Sequence, residues 1–77
     1  MDASLRYLVV VELVGDGTYS SWAPDLPGCV ATGETRQECE ENMCDAIALH
    51  MAGLRDDGTP IPRPTAVASA TVEVDVD

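Results

Sequence analysis

The segment Leu5 to Val14, LRYLVVVELV, constrains the fold more than any other part of the chain. It is dense in β-branched and aliphatic residues, too short for a typical helix, and reads as a strand. Its apolar side chains fall on both faces. Tyr7, Val9, Val11 and Leu13 share one face, while Leu8, Val10 and Val14 share the other. A strand apolar on both faces is normally covered on both sides. One helix covers only one face of a sheet, so the second is expected to be buried by another chain. Size points the same way. The 77 residues are expected to form a single domain spanning 1–77, and a chain this small buries only about 60% of the surface its unfolded state exposes.

The rest of the pattern supplies one helix and three more strands. Gly15-Asp16-Gly17 is a hairpin signal, because glycine takes positive φ at little steric cost. Thr18 to Ala23 (TYSSWA) is the returning strand. Pro24-Asp25-Leu26-Pro27-Gly28 is expected to be a rigid turn, since a proline has no N–H for a ladder. Cys29 to Thr32 is the third strand. Thr35-Arg36-Gln37-Glu38 is a capping box, in which Thr35 accepts from the third helical N–H and Glu38 reaches back to the cap. Glu38, Glu40 and Glu41 suit the positive end of the helix dipole. Cys39, Met43, Ala46, Ile47, His50 and Leu54 recur at helical spacing as a core stripe. The helix is predicted to end near Leu54, with Gly58 in the exit turn.

Thr59 to Thr65 (TPIPRPT) carries three alternating prolines and is expected to be stiff and extended. From Ala66 to Asp77, Val72, Val74 and Val76 alternate with Glu73, Asp75 and Asp77. That pattern predicts a half-buried strand with an acidic outer row, which also discourages edge-to-edge aggregation. The order is β-β-β-α-β, an α+β arrangement.

Charge excludes whole classes of function. Four arginines, no lysine and 14 carboxylates give a net charge of −10. Such a chain is repelled by phosphate backbones and by anionic membranes, so no direct nucleic-acid contact and no membrane partner are expected. A basic partner is attracted and its approach accelerated; solubility alone is the other reading of the acidity. Met1-Asp2-Ala3-Ser4 lacks a basic leader, and the apolar run after Arg6 is short and leads into Glu12, so neither a signal peptide nor a membrane span is expected. Cys29, Cys39 and Cys44 have no CxxC spacing. Cys39 and Cys44 sit roughly 140° apart around a helix and cannot bridge there. Reduced thiols in a cytoplasmic protein are expected.

Catalytic constellations are weak. One histidine and three scattered cysteines do not make a zinc site, and no cofactor is expected. A two-metal nuclease needs convergent carboxylates, yet Val9-Val10-Val11 has none, Glu12 stands alone, and Glu38, Glu41 and Asp45 fall on the solvent side of the helix. A Cys29–His50 pair has the ingredients of nucleophilic catalysis, against the plainer reading of His50 as a packed core residue. The chain is expected not to be an enzyme.

Asp16-Gly17-Thr18-Tyr19, then Pro24-Asp25-Leu26-Pro27-Gly28-Cys29, then Gly33-Glu34-Thr35, a helix reaching His50, and Ile61-Pro62-Arg63-Pro64 together resemble the HicB-type antitoxin family of type II toxin–antitoxin systems. The resemblance runs from about Tyr7 to Pro64 and rests on the ordered combination of motifs. It implies an antiparallel meander of the first three strands, a final strand beside the first, and the helix on one face, like a reduced RNase H fold. A right-handed crossover through the helix makes that final pair parallel. The resemblance also implies a HicA-type partner, a small basic RNA-cleaving toxin, and self-association to a dimer or tetramer. Many relatives continue into a helix-turn-helix or ribbon-helix-helix unit that binds operator DNA. This sequence shows none after its last expected strand, so a short form without direct operator contact is expected.

The candidate partner-binding residues are Glu12, Asp16, Tyr19, Trp22, Asp25, Glu73 and Asp75. Tyr19 and Trp22 have opposite parity, so at most one faces the helix, and the other is a candidate anchor. Asp25 either accepts backbone hydrogen bonds in its turn or meets a partner. The acidic row of Glu73, Asp75 and Asp77, with Glu12 and Asp16, is either a solvated face or a cover for the toxin's basic surface. The expected function is therefore antitoxin-like neutralisation of a HicA-type toxin by occlusion. The alternatives are a stand-alone oligomeric module and, least favoured, a metal-dependent RNase H-like hydrolase.

Overall fold

The computed structural model describes residues 5–76, so the Met1–Ser4 terminus and Asp77 lie outside the described residues. Three strands, β1 (Val10–Leu13), β2 (Tyr19–Ala23) and β3 (Leu26–Gly33), precede one helix, α1 (Arg36–Asp56). They pair antiparallel in the order β1-β2-β3, the expected α+β meander with a helix on one face. The β1–β2 hairpin is closed by Val14 N–H to the Thr18 carbonyl at 2.7 Å. Asp16 fixes the turn by accepting from the Thr18 N–H and hydroxyl.

Strand β3 begins earlier than the sequence predicts. Only Pro24 and Asp25 form the turn, and Leu26-Pro27-Gly28 belong to the strand. A bulge accommodates them: Trp22 pairs with Val30, but its neighbour Ala23 pairs with Leu26. Pro27 is tolerated because β3 is an edge strand with a bulge, where a missing N–H leaves no ladder bond unmade.

The helix follows its local signals. Thr35 caps it by accepting from the Glu38 N–H at 3.1 Å. Glu38 reaches back to the N–H of Glu34, one residue before the cap, at 2.8 Å. The helix runs to Asp56, slightly past Leu54, and ends in a Schellman motif: Thr59 N–H meets the Leu54 carbonyl and Gly58 N–H meets that of Arg55, with Gly58 at φ +69°. Cys39 and Met43 are fully buried, with Ala46, Ile47, His50, Met51 and Leu54 half-buried along the same stripe. Met43, Ala46, Ile47 and Met51 share one core cluster with Ala23, Leu26, Cys29 and Ala31.

The final strand expected over 66–77 does not form within the chain, and residues 57–76 contain no regular element. Its place beside β1 stays unfilled, and β1 itself is shorter than expected, because Leu5–Val9 find no ladder partner. The proline segment instead packs on the body: the Tyr7 hydroxyl donates to the Pro62 carbonyl, and Ile61, Pro62 and Pro64 are half-buried. The tail is then clasped by Asp25, whose carboxylate accepts from Thr65 N–H (2.9 Å), Thr65 hydroxyl (2.6 Å) and Ala66 N–H (3.0 Å).

Candidate interaction surface

Alternation along β2 decides which side chains the helix claims. Ser21 and Ala23 are buried under α1, and Tyr19 shares their face, half-buried. Trp22 therefore points to the opposite, outer face, where it is 40% exposed. Register then builds a surface around it. Val10, Trp22 and Val30 lie directly opposite one another across the three strands, forming an apolar row with Val30 62% exposed. The next row is polar and consists of Glu12, Ser20 and Thr32. The two rows are joined by the Trp22 indole N–H, which donates to Glu12 at 3.2 Å. A carboxylate thus sits beside an exposed indole, and none of the four arginines lies in a strand.

The other candidate residues are not gathered on this face. Asp16 is at the hairpin tip, where the Thr18 hydroxyl and then its N–H hold the carboxyl below the usual carboxylate range. Asp25 is held low in the same way, first by the Thr65 hydroxyl, then by the amides of Ala66 and Thr65. Glu73 and Asp75 lie on the exposed tail. The sequence reading named Trp22 and Glu12 and put Val10 on the second face, but it did not align Val30 with Trp22, because the bulge after Trp22 hides the β2–β3 register. Nor did any local signal tie Asp25 to Thr65, 40 residues away.

The Cys29–His50 pair and the helix carboxylates are not brought together among the described residues as a catalytic group. Cys29 and His50 line one shallow depression with Gly28, Val30, Ala46 and Leu49, but burial pushes the Cys29 thiol up, away from a reactive thiolate. Glu38, Glu41 and Asp45 are exposed along the helix. Among the described residues, no three His, Cys, Asp or Glu side chains are placed to hold a metal ion. No described helix is long and apolar enough to cross a membrane.

The three-stranded meander with one helix is shared with known proteins. A family model described as the HicB-like antitoxin of bacterial toxin–antitoxin systems matches residues 7–77. The chain belongs to the HicB-like antitoxin family. The N-terminal domain of antitoxin HicB from Burkholderia pseudomallei has the same fold in its crystal structure. Its TM-score is 0.70 at 25% identity, over 88% of this chain and 95% of that one. An uncharacterised 14.9 kDa protein of Haemophilus phage HP1 is 36% identical over 59 residues, covering 77% of this chain and 44% of that protein. Antitoxin HicB 1 of Photorhabdus laumondii is 34% identical over 71 residues, 92% of this chain and 46% of that protein. The HicB-like chain thus spans less than half the length of these two relatives. It matches 90% of the UPF0150 protein Ta0767 of Thermoplasma acidophilum, at 34% identity over 62 residues.

Proposed function

We propose that this HicB-like chain, as one domain over 1–77, neutralises a small basic HicA-type RNA-cleaving toxin in the cytoplasm by covering its RNA-binding surface. The observation that carries the reading is the outer sheet face, where exposed Trp22 and Val30 adjoin the Glu12 carboxylate on a family member with net charge −10. Trp22 is the apolar anchor. Glu12, with Asp16, Glu73 and Asp75, supplies the negative field that steers and orients a basic partner. Tyr19, under the helix edge, and Asp25, occupied by the tail, act by shaping the fold around this face. The chain makes no direct nucleic-acid contact in this reading, since its charge opposes one. The free edge of β1 supports self-association as a second property.

Co-expression with a small basic HicA-type toxin tests the proposal. Growth rescue by the wild-type chain and its loss with Trp22→Ala are expected, while the variant's melting temperature stays close to wild type. Association rate is expected to fall steeply as salt rises. Undiminished rescue by a Trp22→Ala/Glu12→Gln protein sinks the assignment of this face.

A further inference from the structure

Two features of the chain lack a counterpart within it. The first is an edge. Among the described residues β1 pairs only with β2, and α1 packs mainly on β3 and least on β1. Beside β1, under the helix, an open groove of about 330 Å³ is lined by the apolar Val9, Val11, Met43 and Ile47, with Cys44 and the paired Arg36 and Glu40 also bordering it. The second is a strand without a sheet. Val72, Val74 and Val76 keep strict alternation with Glu73 and Asp75, yet every residue from Val67 to Val76 is exposed. These three valines are 77, 69 and 89% exposed.

The clasp fixes where the tail leaves the body. Asp25 pins Thr65 and Ala66 at the β2–β3 turn. Pro64, Ala66 and Val67 then border one depression with Leu5–Leu8, and every described residue after Ala66 is exposed. The radius of gyration is 14.6 Å and the long axis 50 Å, against about 11–12 Å for a compact chain of this length. The tail accounts for that excess, since ten extended residues reach about 33 Å.

We propose that the tail of one copy, over Thr71–Val76, adds as a strand to the free β1 edge of a second copy, reciprocally. Main-chain groups of β1 gain the ladder they lack, and the valines, on one parity, enter the groove of Val9, Val11, Met43 and Ile47. Each copy carries one tail and one edge, so a two-fold exchange satisfies both and leaves neither free to propagate. A second copy is favoured over an unrelated partner because the missing strand and its missing edge occur together in every molecule. Glu73 and Asp75 emerge on the outer side near Glu12, where like charges repel. The exchange is therefore expected to tighten with salt, opposite to the binding of a basic partner.

The inference rests on the self-association proposed above and specifies its mode. Sedimentation equilibrium of the full chain tests it, alongside Val72→Asp/Val74→Asp. A wild-type dimer that tightens with salt is expected, with at least about tenfold weaker association in the variant, which sets charge against the apolar Val9, Val11, Met43 and Ile47. The variant's melting in dilute solution should match that of dilute wild type, because neither valine is packed within its own chain. A wild-type chain that stays monomeric up to millimolar concentration overturns self-association and the exchange together. A dimer of unchanged affinity in the variant overturns the exchange alone.

Discussion

Replacing Gly33 with alanine probes the contact that seats the helix on the sheet. A Cβ on Gly33 would lie 2.5 Å from the Cys39 nitrogen, 2.8 Å from its Cα and 3.0 Å from the Glu38 carbonyl carbon. All three are backbone atoms, so no side-chain rotation relieves the clash. The first turn of α1 must move by on the order of 1 Å to reach ordinary contact distance. Cys39 has no exposed surface, and its N–H closes the first helical bond to Thr35 at 3.0 Å, so the shift disturbs the core and the cap together. Overpacking of this kind costs about 1–3 kcal/mol, occasionally more. For a domain of this size each kcal/mol lowers the melting temperature by about 4–8 °C. Thermal unfolding by circular dichroism should therefore show a fall of roughly 4–24 °C for Gly33→Ala. Gly15→Ala, with nothing within 4 Å, is the control and should stay within about 0.5 kcal/mol of wild type. Equal melting temperatures for the wild type and Gly33→Ala would refute the close approach.

Other perturbations separate local from distributed effects. Thr35→Ala removes the acceptor for the Glu38 N–H and should cost about 1 kcal/mol, read as a lower unfolding midpoint without change in helix content below it. Asp25→Ala should free the tail while leaving the sheet intact, seen as faster exchange of the Thr65 and Ala66 amides; unchanged protection would show that the clasp is not what holds them. The Asp25 carboxyl is depressed by its hydrogen bonds, so the clasp is complete above the ordinary carboxylate range and is lost as pH falls through the lowered folded value. Tail protection in the wild type should therefore drop only in that acidic window, and the alanine variant should show no such step. Cys29 should alkylate slowly at neutral pH, at a rate unaffected by His50→Gln, since its thiol is raised by burial; a rate dependent on His50 would revive a catalytic pair.

Local chemistry made much of this structure legible. The Thr35 cap, the Gly58 exit and the Cys39–Met43 stripe depend on neighbours within one or two turns, and they stand where the spacing of residues puts them. Parity also sent Trp22 outward and Tyr19 inward once Ser21 was seen to be buried. What failed depended on distant partners. Pro27 and Gly28 argue against a strand only when every residue must pair, and the bulge at Ala23 removes that requirement. The valine alternation of the tail carries a strand signal without naming an edge, and strand formation needs both. The hydrogen bonds from Thr65 and Ala66 to Asp25 leave no local trace, because an aspartate in a proline-rich turn has acceptors to offer in every context.

The outer face and the β1 groove are separate surfaces, and this bears on how an acidic chain can both assemble and capture. Assembly of two copies at −10 each is opposed by their charge, so it must draw on backbone pairing and apolar burial, which the tail and groove supply. Once formed, the pair doubles the negative field that a basic partner meets, and that field acts on encounter rate more than on final affinity. Trp22 and Val30 remain exposed on each copy, because the exchanged valines fill the helix side of the sheet. Salt then divides the two events: screening favours the acidic pair and slows the arrival of the basic partner. A partner on-rate that rises with salt across the range where the pair tightens would show that assembly gates capture, and would make the tail, not the net charge, the controlling element.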